Sequence, residues 1–253
     1  MMSFADIHTH FIPGVDDGAS SLDETIEMLR LAYNSGTRSM VATPHMFLDM
    51  FPGNSKVAIN DRFAATIAEL RQRSEQPDCA FIREMELTLG AEHYGSAEFV
   101  QALHEACVLP INGSRYLLVE FSPFLPWGML EVVINRVLQS GYFPVVAHTE
   151  RITGIQDKPS RAENLVRIGC VIQVNAESFL DGAEGKVRKT AHTLAREELM
   201  HVVASDGHRP KRRPPLLLEA SQRLLQKYSP EQVEAWLWHN PRSIIKNESV
   251  DTF

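Results

Sequence analysis

Cysteine is scarce in this chain, with three among 253 residues: Cys79, Cys107 and Cys170. Their odd number and wide spacing are typical of a reducing compartment, and we expect all three to be buried as small apolar residues. None of them starts a Cys-x5-Arg phosphate loop, because the sixth residue onward is Met85, Gly113 or Ala176. A phosphatase of that design, with a cysteine thiolate as its nucleophile, is therefore excluded.

The chain also lacks an apolar run long enough to span a bilayer, and its N-terminus has no signal-peptide pattern. We therefore expect a cytoplasmic protein. Acidic residues outnumber basic ones, 32 to 25, which gives a formal net charge of -7. A nucleic-acid-binding surface would need a basic stripe, so this charge argues against a nucleic-acid partner.

Strand and helix patterns alternate along the sequence. The strand candidates are residues 3–7, 38–43, 86–90, 116–121, 143–147, 170–174 and 201–204. Seven strands that alternate with helices predict a parallel sheet closed into an α/β barrel. A barrel of this length is a single domain, which we expect to span residues 1–253.

Two local patterns add detail to this fold. The stretch Ser21-Leu-Asp-Glu24 predicts a capping box at the start of the first helix, and Gly36 predicts its end. Residues 46–53 form a loop rich in Met and Phe. This loop has two interpretations, one as a segment folded over the core and one as an apolar lid beside a functional site.

The stretch Asp6-Ile-His8-Thr-His10 lies at the end of the first strand candidate. Because successive strand residues face opposite ways, His8 and His10 face the same way and can hold one divalent metal. Asp6 is positioned to orient such an imidazole. An isolated His-x-His pair is more often structural, so the metal interpretation depends on what the later strands carry.

Six of the seven strand candidates carry a metal-competent side chain at or just past their C-terminal ends. These are His8 and His10, His45, Glu92, Glu120, His148, and Asp206 with His208. Glu120 lies in an apolar strand, where a carboxylate is costly unless it is paired or bound to a cation. The C-terminal strand ends of a barrel form one rim, so the set predicts a hydrolytic site with two or three ions. Without a thiolate ligand, Mn, Fe or Zn suits it.

These motifs resemble those of the PHP (polymerase and histidinol phosphatase) superfamily, which implies a distorted (β/α)7 TIM-like barrel. Within it, the chain resembles the bacterial manganese-dependent protein-tyrosine phosphatases of capsule and exopolysaccharide biosynthesis. The resemblance spans nearly the whole chain. It is carried by Asp6-Ile-His-Thr-His10, Val15-Asp-Asp-Gly18, Ala42-Thr-Pro-His45, Gly90-Ala-Glu92, Val119-Glu-Phe-Ser122, Ala147-His-Thr-Glu-Arg151, Gln173-Val-Asn175, Ala204-Ser-Asp-Gly-His208 and Arg213-Pro-Pro215.

The resemblance implies a role for each of the matching residues. One ion would be held by His8, His10, Glu92 and Asp206; a second by Glu92 as a bridge with Glu120 and His148; a third by His45, His208 and an aspartate of the pair Asp16–Asp17, where Asp17 is favoured. Arg151 and Arg213 match the arginines that grip phosphate, although Arg209, Lys211 or Arg212 could replace Arg213. The predicted catalytic residues are Arg151, Arg213 and Asp17.

The chemistry implied is hydrolysis of phosphotyrosine in a protein. A hydroxide shared by two metals would attack phosphorus in line, while metals and arginines offset charge on the equatorial oxygens. Apolar loops at residues 46–51 and 121–127 could flank the aromatic ring of the substrate. The implied partner is a tyrosine-autophosphorylating kinase of the polysaccharide pathway.

Three other functions use a similar site. A histidinol-phosphate-type or other small-molecule phosphatase would have the same ligands at the strand ends. A catalytically inactive barrel that binds a kinase or export partner as a scaffold would have no need to keep all of them. An amidohydrolase that cleaves C–N bonds would share the metals but would have less use for Arg151 and Arg213.

Overall fold

The structure, a computed structural model, describes residues 2–183 and 185–250. The predicted single domain of residues 1–253 remains a prediction, and its residues 1, 184 and 251–253 lie outside the described part. The strands are β1 (Phe4–Thr9), β2 (Thr37–Ala42), β3 (His45–Met46), β4 (Glu86–Leu89), β5 (Glu92–Tyr94), β6 (Tyr116–Glu120), β7 (Phe143–Val146), β8 (Val171–Asn175) and β9 (Val202–Ala204).

Helices connect these strands on the outside of the sheet. The α-helices are α1 (Leu22–Asn34), α2 (Lys56–Arg73), α3 (Ala97–His104), α4 (Trp127–Gln139), α5 (Thr153–Asp157), α6 (Ser160–Arg167), α7 (Gly185–Arg196), α8 (Leu218–Leu224), α9 (Pro230–Glu234) and α10 (Asn240–Ile245). Short 3-10 helices occupy Pro77–Glu84, Ile111–Gly113, Thr149–Arg151 and Ala176–Phe179, and a π-helical turn spans Ala235–His239. Across the described residues, no helix has both the length and the apolar character that a membrane crossing requires.

All of the described strand pairs are parallel, and they form a three-stranded sheet, β1-β2-β4, and a six-stranded sheet, β3-β5-β6-β7-β8-β9. The break between β2 and β3 falls at Pro44, which has no N–H for the ladder. Hydrogen bonds from Gly90 N–H to Ala42 O and from Glu92 N–H to Pro44 O span this break. The nine segments therefore follow seven strand lines, as the sequence predicts.

The segment after the last strand is hydrogen-bonded to the end of the first strand. Asp206 N–H donates to His8 O at 2.9 Å, and His10 N–H donates to Gly207 O at 2.8 Å. The parallel strands, the helices around them and these hydrogen bonds give the predicted seven-stranded, TIM-like α/β architecture, which is confirmed.

The interior of the barrel changes character along its strands. Leu118, Val145 and Val202 belong to a buried apolar cluster that Ile244 and Ile245 of α10 cover at one end. Residues two apart in a strand face the same way, so Glu120 follows Leu118 on the same face of β6. The same alternation puts Gln173 and Asn175 of β8 in line with Val171 of that cluster.

Two local predictions are wrong in part. Ser21 caps α1, since its side chain accepts a hydrogen bond from Glu24 N–H, but the Glu24 carboxylate turns to Ser20 and so completes no capping box. Gly36 does end this helix segment, with a left-handed φ of +105°. Cys107 lies in the loop after α3 and is exposed, unlike Cys79 and Cys170, because that helix ends at His104.

Candidate metal centre

The predicted ligands all lie at the C-terminal rim of the barrel. The pairing of β3 with β5 puts His45 opposite Glu92, and the pairing of β5 with β6 puts Tyr94 opposite Glu120. Potential ligand atoms form three groups among the described residues: His8, His10, Glu92 and Asp206; His10, Asp17, His45 and His208; and His45, Glu92 and Glu120.

Glu92 is at the centre of the site and is fully buried. Its Oε1 lies 2.9 Å from His148 Nε2 and 3.2 Å from His8 Nε2. Its Oε2 lies 3.2 Å from His45 Nδ1 and 3.4 Å from His10 Nε2. Burial opposes ionisation, but the surrounding imidazoles, His8 and His45 first, hold the pKa of Glu92 well below its ordinary value. A carboxylate whose two oxygens face different histidines has the geometry of a bridging ligand.

The contacts of Asp16 and Asp17 indicate different roles for these two neighbours. Asp17 Oδ1 lies 3.3 Å from His208 Nε2 and 3.5 Å from His45 Nε2, and hydrogen bonds from these two imidazoles hold its pKa well below the ordinary value. Asp16 instead accepts a 2.7 Å hydrogen bond from His10 Nδ1 and another from Gly18 N–H. Asp17 therefore joins a ligand group, whereas Asp16 orients one.

Three imidazoles are oriented by a contact at Nδ1, so that the Nε2 atom of each faces the ligand cluster. His8 Nδ1 lies 3.2 Å from Gln173 Oε1, which also accepts a hydrogen bond from His148 N–H and must therefore be the amide oxygen. His10 Nδ1 donates to Asp16, and His208 Nδ1 donates to the Asp206 carbonyl at 2.9 Å. Such partners fix ring orientation and ligand basicity in metal sites.

The amides of β8 extend this support to Asp206. Gln173 Nε2 donates to Asn175 Oδ1, and Asn175 Nδ2 donates to Asp206 Oδ2, both at 2.8 Å. The resemblance includes the motif Gln173-Val-Asn175 but predicts no role for it. Two polar residues on one face of an otherwise apolar strand are the signal that could have assigned it.

The predicted role of Asp6 is wrong. Its Oδ1 accepts hydrogen bonds from the backbone N–H groups of His8 and Ser205, so it holds two strand ends together, and among the described residues it accepts from no imidazole. The register of β1 shifts between Asp6 and Thr9, so simple alternation fails there. Burial raises the pKa of the Asp6 carboxyl to about 6.

Several of the potential ligand atoms have no hydrogen-bond partner among the described residues, as expected of atoms that bind a metal ion. His8 Nε2, His10 Nε2, His45 Nδ1 and Glu120 Oε1 are buried and make no hydrogen bond of acceptable geometry with any described residue. Buried polar atoms are nearly always satisfied, so unsatisfied nitrogen and oxygen atoms that converge on one point need an explanation. Divalent cations with mixed imidazole and carboxylate ligands satisfy them.

His148 and Glu120 each lie closer to another ligand than to one another. His148 Nε2 is 2.9 Å from Glu92 Oε1 but 3.8 Å from Glu120 Oε2, and His148 belongs to none of the three groups. Glu120 Oε1 is 3.2 Å from His45 Nδ1 instead. The three ligands predicted for the second ion, Glu92, Glu120 and His148, thus lie near one another. His45 lies beside Glu92 and Glu120.

Two arginines meet at Asp206. The Asp206 Oδ1 atom lies 3.3 Å from His8 Nε2, whereas Oδ2 contacts the Arg213 guanidinium and lies 3.7 Å from Arg151 Nη1. Burial opposes ionisation, but His8 and Arg213 hold the pKa of this carboxyl well below its ordinary value. Arg151 is also ion-paired with Glu177.

Arg213 differs from its basic neighbours. It lines the cavity of about 350 Å³ that is lined by seven of the nine predicted ligands, whereas Arg209, Lys211 and Arg212 do not. Arg209 Nε donates to the Asp17 carbonyl from outside the cavity. Arg213 is therefore the arginine of this cluster that the geometry brings to the site.

The backbone of the rim is unusual at the same residues. His148, Asp206 and Arg213 have φ values of 31°, 54° and 61°, in the left-handed region that side chains rarely adopt. A Cβ on Gly207, beside Asp206, would meet Pro215 at 2.6 Å, so only glycine fits there. Strained backbone of this kind concentrates at functional sites.

The loop of residues 46–53 has both of the predicted roles. Met46 is buried in the core, whereas Leu48 lines the cavity. The Phe51 ring stacks on His45, with ring centroids 5.6 Å apart and planes 3° from parallel. The loop therefore packs against the core and covers one side of the ligand cluster.

Comparison with known proteins gives one family. The model of the family described as "Capsular polysaccharide synthesis, CpsB/CapC" matches residues 4–246. The tyrosine-protein phosphatase YwqE of Bacillus subtilis (strain 168) is 32% identical over 251 residues, which cover 97% of this chain and 92% of YwqE. The tyrosine-protein phosphatase CpsB of Streptococcus agalactiae serotype V is 28% identical over 250 residues, which cover 97% and 99% of the two chains.

A solved structure supports the same relationship. It belongs to a study of YwqE from Bacillus subtilis and CpsB from Streptococcus pneumoniae, described as unique metal-dependent tyrosine phosphatases. It superposes with a TM-score of 0.86 at 28% identity, over 98% of this chain and 97% of the solved one. The predicted resemblance to the capsule-type phosphatases is confirmed.

Proposed function

Because the chain belongs to the capsular polysaccharide synthesis family CpsB/CapC, we propose that it is a metal-dependent phosphatase that hydrolyses phosphotyrosine in proteins. The observation that carries this proposal is Glu92, buried among four imidazoles, next to two guanidinium groups that meet at Asp206. Cations and arginines around one cavity suit a phosphoryl group, whose transition state spreads negative charge over three oxygens.

We assign three ions to the nine predicted ligands. The first would be held by His8, His10, Glu92 and Asp206, the second by Glu92, Glu120 and His148, and the third by Asp17, His45 and His208. Mixed nitrogen and carboxylate donors suit Mn, Fe and Zn, and Mn²⁺ is our first choice because the chain resembles the manganese-dependent phosphatases. When bound, the ions would activate water and offset charge on the phosphate oxygens.

The side chains of this protein would position the substrate. Arg151 and Arg213 present paired N–H groups, a geometry that matches phosphate oxygens. Both line the ligand cavity, together with Asp17, which completes the predicted catalytic set. A phosphoryl group would take the place that Asp206 Oδ2 now has as the common partner of the two guanidiniums.

The leaving group and the cavity wall fit tyrosine. A phenolate has a conjugate acid with a pKa of about 10, so it leaves with less proton transfer than an alkoxide needs. Leu48, Tyr94, Phe121 and Pro123 line the cavity and would flank an aromatic ring. The predicted contribution of the two apolar loops remains a prediction; truncating Leu48 without a change in phosphotyrosine turnover would count against it.

The protein partner and the compartment are finer proposals. We infer that the substrate is a tyrosine-autophosphorylating kinase of polysaccharide synthesis, because the family is named for capsular polysaccharide synthesis and its relatives are named tyrosine-protein phosphatases. The three free cysteines and this substrate suit the cytoplasm.

The test is hydrolysis of a phosphotyrosine peptide by metal-stripped protein reloaded with Mn, Fe or Zn. Activity should need metal and should collapse in His148→Ala and Arg151→Ala. The exposed His239→Ala and Arg167→Ala serve as matched controls and should keep full activity.

Other outcomes identify the alternatives. Faster turnover of histidinol phosphate than of the peptide would indicate a small-molecule phosphatase. Cleavage of amides with no phosphatase activity would indicate an amidohydrolase. A protein that retains no metal and has no activity would be a scaffold.

A further inference from the structure

A second, larger cavity adjoins the ligand cavity. Its volume is about 690 Å³, and it shares Pro123 and Arg151 with the ligand cavity. Phe124, Leu180 and Val187 give it an apolar wall. A volume of this size is typical of ligand sites. We call this cavity the flanking groove.

The charged residues that line the flanking groove are already paired. Among the described residues these are Arg151, Glu177 and Asp181. Arg151 pairs with Glu177, and Asp181 accepts from Arg223 at 2.6 Å and from Arg188 at 3.3 Å. Each charged side chain that lines the groove therefore already has an oppositely charged partner beside it.

Two neutral polar side chains that line the groove, Ser178 and Gln156, are also already hydrogen-bonded to another residue. Ser178 Oγ donates to the buried Glu150 carboxylate at 2.6 Å, and Gln156 Nε2 donates to the Glu150 carbonyl at 2.9 Å. By contrast, Phe124 is 83% exposed. The apolar wall is thus the part of the groove that is free to bind a ligand.

We propose that the flanking groove binds the substrate residue next to phosphotyrosine and favours an apolar side chain there. The proposal rests on the proposed function. A phosphotyrosine in the ligand cavity belongs to a chain whose neighbouring residues lie beside that cavity, and Pro123 and Arg151 line both the ligand cavity and the groove. The groove therefore receives the neighbouring residue, and Phe124 and Val187 contact its side chain.

Three substrates test this proposal: free phosphotyrosine, a peptide with glycine on both sides of phosphotyrosine, and the same peptide with leucine at those positions. The metal-loaded enzyme should prefer the leucine peptide to the glycine peptide by about tenfold in kcat/KM. Phe124→Ala should lower the ratio of leucine-peptide to free-phosphotyrosine kcat/KM by about tenfold. Val57→Ala is the control, because Val57 is 69% exposed on α2 and lines neither cavity, and it should keep the wild-type ratio.

A second variant tests the polarity of the groove. Val187→Asp adds an unpaired charge to the apolar wall and should transfer the preference from a leucine-flanked to a lysine-flanked peptide. Equal turnover of the leucine and glycine peptides by the wild type, or a wild-type ratio in Phe124→Ala, would overturn the proposal alone. No hydrolysis of any of the three substrates would overturn the proposed function as well.

Discussion

The two ends of the barrel interior are built from the same strands but are stabilised in opposite ways. At one end, Leu118 and Val202 pack in an apolar cluster covered by α10. Glu120, two residues after Leu118, and Asp206, four residues after Val202, bring carboxylates to the rim. One strand can therefore serve stability at its first residues and chemistry at its last.

The two ends contribute differently to the stability of the fold, because different side chains are buried there. Apolar side chains at the covered end stabilise the fold through burial and close packing. At the rim, buried donor atoms lack hydrogen bonds, and His148, Asp206 and Arg213 have left-handed backbone. These features cost stability that bound ions would restore, so changes at the two ends should have separable effects.

The largest effect should come from Glu92→Gln. The amide keeps the shape of the side chain but cannot bridge cations between His8, His10, His45 and His148. We expect loss of bound metal and a fall in kcat on the order of a thousandfold. Metal analysis and phosphotyrosine turnover measure both.

The same variant should change the response to a chelator. Ligands that bind only the folded state raise its stability, so a chelator should lower the Tm of the wild type. The shift should be much smaller in Glu92→Gln. Equal shifts in both proteins would show that Glu92 holds no ion.

Leu118→Ala should have the opposite profile. It removes a buried side chain from the apolar end and should lower the free energy of unfolding by about 2–5 kcal/mol. Turnover per folded molecule should stay close to the wild type. Denaturant unfolding and active-site titration separate these quantities, and a loss of kcat comparable to that in Glu92→Gln would contradict the separation.

His201→Asn tests a titrating group away from the rim. Burial lowers the pKa of His201 to about 4, and its Nδ1 accepts a hydrogen bond from Ile172 N–H. Because the folded pKa lies below the unfolded value of about 6.5, the unfolded state binds the proton first as pH falls. This contribution to stability is present above pH 6.5 and is lost between pH 6.5 and 4.

The asparagine variant keeps an acceptor for Ile172 but cannot take up that proton. The wild type should therefore lose up to about 3 kcal/mol more than His201→Asn between pH 7 and pH 4. Urea unfolding of metal-free protein at several pH values measures the difference. Parallel pH profiles would show that His201 already titrates normally in the folded state.

Gln173→Met should give the smallest effect. Gln173 lies in β8 between Val171 of the apolar cluster and the rim. The substitution keeps the buried volume but removes the oxygen that accepts from His8 Nδ1 and from His148 N–H. Loss of such a supporting partner weakens metal binding by about 10–100-fold. Metal titration measures this, with Gln101→Met on the exposed face of α3 as the control.

The fold could be predicted well because its signals are local and repeated. Each strand line has an apolar run, and most of the ligands lie within a few residues of the C-terminal end of such a run. The split of two strand lines at Pro44 and Gly90, and the exposure of Cys107 in the loop after α3, depend on tertiary packing. Those details have no local sequence signal.

The candidate site could be predicted as a set of residues but less well as a set of contacts. Alternation put His8 and His10 on one side, yet the register shift in β1 turned Asp6 to the backbone of Ser205. The partners of the imidazoles, Gln173 and Asp16, come from elsewhere in the chain or from a loop. Such pairings depend on three-dimensional proximity that spacing alone does not contain.

The contact of two guanidiniums with Asp206 Oδ2 has a consequence for the end of the catalytic cycle. Inorganic phosphate that stays after the reaction competes with a carboxylate that is fixed to the same arginines and lies beside them. When phosphate departs, the arginines regain a partner at once, and no unpaired charge remains in the cavity. We therefore expect fast product release and weak inhibition by free phosphate.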